Sequence, residues 1–331
     1  MEINKIYCGD ALETLKGFPS ESINCIVSSP PYYCLRDYGT AGQIGLENSP
    51  ELYINNLSGV FMECRRVLKN DGTLWIVIGD SYAGSGRGKG DISKKSKVQN
   101  KASYVGEAFD KPYQVKGCKN KDLIGIPWQL AFALRAGGWY LRQDIIWHKP
   151  NPMPESIQDR CTKAHEYVFL LTKSARYYFD YAAMLEPARY DGRKKNRCGG
   201  SGKYHNNACG LKTQSISKGG HKRWNNSLHG SPARNKRSVW TVPTRAFNGS
   251  HFATFPPTLI RTCIEAGCPP DGVVLDPFMG AGTTAIVARE LSRNYVGIEL
   301  NSNYVKMAEC RLGKCSTYQP PKKDDLFYEL F

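Results

Sequence analysis

The stretch from Val273 to Glu299 constrains the fold more than any other part of the chain. Val273 to Asp276 is short and apolar and reads as a buried strand; a loop containing Gly280 and Gly282 follows; Thr283 to Leu291 has good helical character; and Tyr295 to Glu299 reads as a second strand that ends in a carboxylate. Elsewhere the same alternation recurs. Glu51 to Leu68 has helical spacing and stops at Lys69-Asn70-Asp71-Gly72, and Thr73 to Ile78 is a buried strand ending in Gly79-Asp80-Ser81-Tyr82, an end that is a further candidate to face the site. Pro127 opens a predicted helix to Arg135, while Trp139 to Trp147 and Glu166 to Thr172 read as strands, the latter beside another at Tyr177 to Phe179. Strand and helix alternating in this way predict an α/β fold with a doubly wound, mostly parallel sheet, and a hydrophobic fraction of 41% is ample for its core.

A second feature adds chemistry. Ile23 to Val27 reads as a buried strand, and Ser29-Pro30-Pro31-Tyr32 begins where it ends, at the sheet edge where ligands gather in open α/β folds. A residue before proline is pushed to extended conformations, and each proline sets its own φ and lacks an N–H, so the run is a stiff arch whose carbonyls are expected to point outward, unpaired. The Ser29 hydroxyl and the Pro30 carbonyl can accept both hydrogens of one amino group, and the Tyr32 ring offers a stacking face for a flat heterocycle. That is a pocket for a nucleobase amine; the plain alternative is a proline-rich turn capped by a surface tyrosine. Downstream, Gly280 and Gly282 let backbone approach a ligand closely, the helix start supplies free N–H groups, and Glu299 stands where a ribose diol would be held. The spacing Gly280-x-Gly282-x-x-Ala285 also fits a dinucleotide-binding fingerprint, from which the lead-in Asp276-Pro277-Phe278 departs.

With these residues the chain resembles the β-group of DNA amino-methyltransferases, which move a methyl from S-adenosylmethionine to an exocyclic base nitrogen and place the cofactor half after the catalytic half, the order seen here. The resemblance covers most of the chain and implies a Rossmann-like methyltransferase fold. A tetrad that begins with serine resembles the cytosine-N4 branch. The resemblance makes Ser29, Pro30, Pro31 and Tyr32 the catalytic tetrad. It makes Asp276, Pro277, Phe278, Gly280, Gly282 and Thr283 the cofactor loop, Glu299 the ribose-binding acid, and Asp10 with Ala11 and Leu12 the segment near the cofactor adenine. His251 to Pro256, including Phe252, Ala253 and Thr254, resembles the lining of the methionine end; many relatives carry a lysine where this chain has Phe255, so backbone amides are the expected partners there.

The formal net charge of +15 is unevenly spread. From Glu186 to Arg237 there are thirteen Lys/Arg, among them Arg193, Lys194, Lys195, Arg197, Lys222 and Arg223, against two acids. The stretch is rich in Gly, Asn, Ser and His, so it reads as an inserted polyanion-binding module, expected to be a target-recognition segment on double-stranded DNA. A solvated basic insert is the alternative. Ala83 to Lys121 carries ten Lys/Arg against three acids and is expected to be a mobile loop near the DNA phosphates. The expected organisation is therefore 1–185 for the catalytic half, with 83–121 as its basic loop, 186–240 for target recognition, and 241–331 for the cofactor half. The twelve cysteines contain no C-x-x-C pair and read as reduced core thiols, as at Cys25, Cys64 and Cys263; Cys198, His205, Cys209 and His221 match no recognised zinc spacing, so no metal is expected. The start, Met1-Glu2-Ile3-Asn4-Lys5, has no signal-like pattern and no apolar run approaches a membrane span, which points to a cytoplasmic, nucleoid-associated protein of prokaryotic or phage type.

The reaction these residues imply is methylation of cytosine N4 after the base has left the stack, with adenine N6 as the alternative and a non-catalytic DNA-binding subunit as a third reading. Cytosine-C5 chemistry needs a thiolate, usually in a Pro-Cys pair, and none of the nineteen prolines precedes a cysteine. Trp147, Lys149 and Asn151 are candidate contacts to DNA or the base, with a core tryptophan and a surface loop as the alternative. His165 and His251 are candidate proton relays, with structural roles as the better expectation. A cognate restriction endonuclease acting on the same site is a candidate partner.

Overall fold

A computed structural model of the protein describes residues 1–35, 37–84, 115–187, 233–244 and 255–313. In chain order the elements are β1 (Lys5–Cys8), α1 (Ala11–Lys16), β2 (Ile23–Ser28), α2 (Pro50–Val67), β3 (Leu68–Ile78), α3 (Ile126–Ala136), β4 (Tyr140–His148), β5 (His165–Thr172), β6 (Leu185–Pro187), β7 (Ala233–Asn235), β8 (Val239–Thr241), α4 (Pro257–Gly267), β9 (Val273–Asp276), α5 (Thr283–Glu290), β10 (Asn294–Glu299) and α6 (Ser302–Arg311). Local chemistry explains where the helices begin. The Asp10 carboxylate accepts from the Glu13 N–H at the start of α1, and Ser49 does the same for Leu52 at the start of α2, where Pro50 takes the first turn.

Among the described residues eight strands form one sheet in the order β1-β10-β9-β2-β3-β5-β4-β8. Of these eight, β5 alone runs antiparallel to its neighbours, β3 and β4. In β3, Leu74, Ile76 and Ile78 belong to the apolar cluster that includes α1, α2 and α3, whereas Thr73 and Trp75 approach Gly267 at the end of α4. Alternate residues of a strand point to opposite faces, so β3 is covered on both, which explains its unbroken apolar run. The crossover β9–α5–β10 leads toward β1, while β2–α2–β3 leads the other way. The strand order therefore reverses between β9 and β2, and the carboxyl ends of these two strands are the position at which open α/β sheets form a ligand crevice.

Two expectations about the framework are corrected. Lys69 to Gly72 does not separate helix from strand: β3 starts at Leu68, and its register against β2 shifts between Ile23 and Cys25, so the polar residues form an irregularity within the strand. Tyr177 to Phe179 is not a strand. Its neighbourhood bonds elsewhere, with the Tyr178 N–H donating to Asp71 O at 2.8 Å and the Asp180 N–H to Ala266 O at 2.8 Å.

The described chain divides into two compact units, Met1–Ala183 with Arg237–Phe331, and Met184–Lys236. In the second, β6 and β7 pair antiparallel and Arg234 Nε lies 2.8 Å from Glu186 Oε1. Cys25, Cys64 and Cys263 are buried and unbridged, and burial pushes the Cys25 and Cys64 thiols well up. Among the described residues no helix is long and apolar enough to cross a membrane, and no cluster of His, Cys, Asp or Glu could hold a metal; Cys198, His205, Cys209 and His221 lie outside them.

Candidate active site

The two motifs meet at the strand-order reversal. β2 and β9 are parallel neighbours, with Cys25 opposite Val274 and Ile26 opposite Leu275, so Ser28 and Asp276 end adjacent strands. The Ser28 hydroxyl donates to Asp276 Oδ1 at 2.6 Å, Thr284 Oγ1 donates to Oδ2 at 2.6 Å, and the Phe278 N–H donates to Oδ1 at 3.0 Å. All three side chains are buried or nearly so, and burial lifts the Asp276 carboxyl to about 6 against the pull of those donors. Asp276 thus clamps the proline run to the glycine loop, with its oxygens directed into the protein.

On the β2 side, Ser29-Pro30-Pro31-Tyr32 forms a ledge at the crevice. One carbonyl departs from the expected unpaired state: Tyr53 of α2 donates its hydroxyl to Pro31 O at 2.7 Å, tying the arch to the core. The Pro30 carbonyl has no hydrogen-bond partner among the described residues. The Tyr32 ring lies over the end of β3, where a Cβ on Gly79 would fall 2.8 Å from its Cε2. The absence of a side chain at Gly79 makes room for the ring. Tyr32 donates its hydroxyl to Glu166 Oε2 at 2.7 Å, and the Ser29 hydroxyl lies 3.5 Å from the Tyr32 oxygen. Burial first, and then the Glu166 carboxylate, push the Tyr32 phenol well above its ordinary value, so it stays protonated. Glu166 Oε1 in turn accepts from Lys149, whose ammonium sits 4.4 Å from the Trp147 ring centre.

On the β9 side the backbone does most of the work. Gly280 and Gly282 have φ of +52° and +80°, a region that favours glycine, and Gly282 caps α5, whose first N–H groups have no partner within the helix. A Cβ on Gly282 would meet the Ala308 Cβ of α6 at 2.7 Å, so this glycine also lets α6 pack close. Arg311 of α6 braces the loop through the Ala281 carbonyl, and burial holds its guanidinium below the ordinary value. Glu299 Oε2 accepts from the Gly280 N–H at 2.7 Å and Oε1 from the Asn301 N–H at 2.9 Å. Burial pushes this carboxyl up while those N–H groups pull it down; each oxygen keeps a lone pair for a hydroxyl donor. The Gly9 N–H donates to Glu299 O at 2.9 Å, which sets Asp10 and buried Ala11 at the same edge.

Ser29, Pro30, Pro31, Tyr32, Asp10, Ala11, Asp276, Pro277, Phe278, Gly280, Gly282, Thr283 and Glu299 are therefore brought to one edge of one sheet. Phe252, Ala253, Thr254 and His251 lie outside the described residues, as do Arg193, Lys194, Lys195, Arg197, Lys222, Arg223 and 85–114 of the basic loop. Trp147 is buried and donates to Val242 O at 2.8 Å, and Asn151 bonds Thr244, so both are tied to the segment that follows β8. His165 stacks edge-on against Tyr167, with burial lowering its basicity. Asp80 caps α3 through the Gly125 and Ile126 N–H groups. The expectation that the strand end at Gly79 also faces the site fits its place under the Tyr32 ring. Sequence reasoning did not assign Ser28, Tyr53 or Glu166 to the site; a glutamate opening an otherwise apolar strand was the one further signal.

Comparison with known proteins agrees with this geometry. The model of the N6/N4 DNA methylase family matches residues 23–310. The Type II methyltransferase M.Cfr9I of Citrobacter freundii is 46% identical over 94% of this chain and 89% of its own length, and M.SmaI of Serratia marcescens is 44% identical over 93% and 90%. Among solved structures, the cytosine-N4-specific PvuII DNA methyltransferase aligns with a TM-score of 0.59 at 18% identity over 99% of this chain and 91% of that one. A putative DNA modification methylase of Thermus thermophilus, solved with S-adenosyl-L-methionine, aligns with a TM-score of 0.56 at 23% identity over 94% and 93%. The chain belongs to the N6/N4 DNA methylase family, whose methyl donor is S-adenosylmethionine.

Proposed function

We propose that the protein is a site-specific DNA methyltransferase that methylates the exocyclic N4 of a flipped cytosine in double-stranded DNA. The observation that carries this is the Ser28–Asp276 bond of 2.6 Å, which sets an amine-accepting ledge against a glycine loop fitted to a nucleoside. The loop fits because its two glycines at positive φ turn the chain onto the start of α5, whose first N–H groups have no partner within the helix, and because Glu299, held by two N–H groups, can accept from a ribose diol. Asp10 and Ala11 border the adenine end, and Phe252, Ala253 and Thr254 the methionine end. The bound donor supplies an electrophilic methyl group. The protein's own part is to hold an extruded base beside it: Tyr32 stacks on the ring, and Ser29 and the Pro30 carbonyl accept the two amine hydrogens, aligning the nitrogen and favouring its pyramidal form.

Serine at the head of the tetrad supports cytosine over adenine. In this reading 1–185 and 241–331 form the two halves of the catalytic domain. Residues 186–240, with Arg193, Lys194, Lys195, Arg197, Lys222 and Arg223, contact DNA phosphates and bases. The place of action is the cytoplasm at the nucleoid, with a cognate restriction endonuclease as the matching partner. Mass spectrometry of nucleosides from DNA incubated with protein and S-adenosylmethionine tests it. N4-methylcytosine is the expected product; N6-methyladenine would transfer the reading to the other amine, and no methylated nucleoside would end it.

A further inference from the structure

We infer that Glu166, anchored by Lys149, is a positioning residue that makes the site specific for an amine, by turning the Tyr32 and Ser29 hydroxyl protons away from the base so that Ser29 faces it as an acceptor alone. The inference rests on the proposed function but holds for either amine, cytosine N4 or adenine N6.

The placement of the protons sets this polarity. The Glu166 and Lys149 side chains are only 17% and 18% exposed, paired with each other, and the ammonium is further held over the Trp147 ring. An ionised carboxylate has no proton to give and can only accept. Tyr32, 2.7 Å away, must therefore donate its single proton to Glu166. Its oxygen is then left with lone pairs only. The Ser29 hydroxyl has the Tyr32 oxygen at 3.5 Å, the outer limit of a hydrogen bond, and that oxygen can accept but not give. With its proton drawn toward Tyr32, Ser29 presents lone pairs to the crevice. The neighbouring Pro30 carbonyl is an acceptor by nature. Two acceptors side by side match an NH2 group and oppose a carbonyl oxygen, which is what deamination puts in its place on either base.

Among the described residues Glu166 is the one acceptor that takes the Tyr32 proton, and without it the polarity is not set, because a serine hydroxyl can turn to donate as readily as to accept. Glutamine at 166 has a definite consequence. Lys149 can only donate, so the amide carbonyl must face it and the amide NH2 must face Tyr32. Tyr32 then accepts from the amide and is free to donate to Ser29, which in turn points its own proton at the base.

The test measures affinity of the cofactor-free protein for a duplex carrying the mapped target base and for the same duplex with that base deaminated, cytosine to uracil or adenine to hypoxanthine. The wild-type protein should prefer the amine duplex. Glu166→Gln should lower that preference about tenfold or invert it, and Tyr32→Phe, which frees Ser29 to rotate, should lower it by less. Melting curves and S-adenosylmethionine affinity near wild type establish that each variant is folded; if Glu166→Gln is not, Tyr32→Phe decides. An unchanged ratio in the folded variants, or a wild-type protein indifferent to deamination, overturns the inference while leaving methylation intact. Absence of any methylated nucleoside overturns the functional reading and the inference with it.

Discussion

The two sides of the crevice are built by different means. The β9 side is almost entirely backbone: two glycines at positive φ, the start of α5, and a glutamate held by N–H groups of its own neighbourhood. The β2 side is a set of side chains from distant parts of the chain, with Tyr32 resting on Gly79, bonded to Glu166 and backed by Lys149. A backbone cradle tolerates changes in side-chain chemistry but not in shape, whereas a side-chain ledge responds to the loss of single atoms. The Ser28–Asp276–Thr284 clamp joins them and should fail in a third way, through charge.

Gly282→Val is the severest test of the cradle. It forces a β-branched residue to φ of +80° and drives its Cβ into Ala308, at a cost of about 2 to 5 kcal/mol. The added carbon points at α6 rather than into the ligand, so calorimetry should find no S-adenosylmethionine binding together with a lowered melting point. Retained binding at wild-type stability would show that the loop is not a shape-limited cradle.

The clamp should show itself in pH dependence. Asp276 is raised from its ordinary 3.8 to about 6 in the folded state, so folding favours its protonated form. Its contribution is fully present below about 4 and is lost as pH rises to about 6, by at most about 3 kcal/mol at 1.36 kcal/mol per unit. Burial pushes Glu299 and Asp80 the same way. Urea midpoints measured between these pH values should fall as pH rises, and Asp276→Asn, whose amide can still serve Ser28 and Thr284, should flatten the slope. An equal slope in the variant would exclude the clamp as its source.

Ser29→Ala removes one acceptor from the ledge, worth about 1 to 3 kcal/mol, and should slow single-turnover methyl transfer roughly tenfold to a hundredfold with cofactor affinity unmoved. Gly79→Ala is the mildest. Its methyl would press on Tyr32 at 2.8 Å and tilt the ring, which should slow transfer severalfold, about 1 kcal/mol, again without touching cofactor binding. If either variant weakened S-adenosylmethionine binding as much as transfer, the division between cradle and ledge would dissolve.

The same division explains what could be read from the chain before folding. Glycines at special φ, prolines that stiffen an arch, a capping aspartate and the apolar runs of buried strands act within a few residues of themselves, so both motifs and most strands were visible locally. Lys69 to Gly72 misled because its turn-like letters were absorbed as a strand irregularity, and Tyr177 to Phe179 because aromatic letters suit a strand, whereas single backbone bonds to Asp71 and Ala266 tie this segment down without a ladder among the described residues. The strand end at Gly79 was legible as a further edge of the site and Glu166 only as a carboxylate opening an apolar strand, whereas Tyr53, one apolar-face residue of a helix, gave no local sign of belonging to it.

Sequence alone determined that there would be an α/β sheet, a proline ledge after one strand and a glycine loop after another, because those features follow from local backbone restriction and side-chain period. Tertiary structure decided that they face each other, since only the reversal of strand order makes β2 and β9 neighbours and brings Ser28 to Asp276 across 248 residues. It also decided that Tyr32 would find Glu166 across 134, a pairing set by which strands lie side by side and carried by no pattern in the intervening chain.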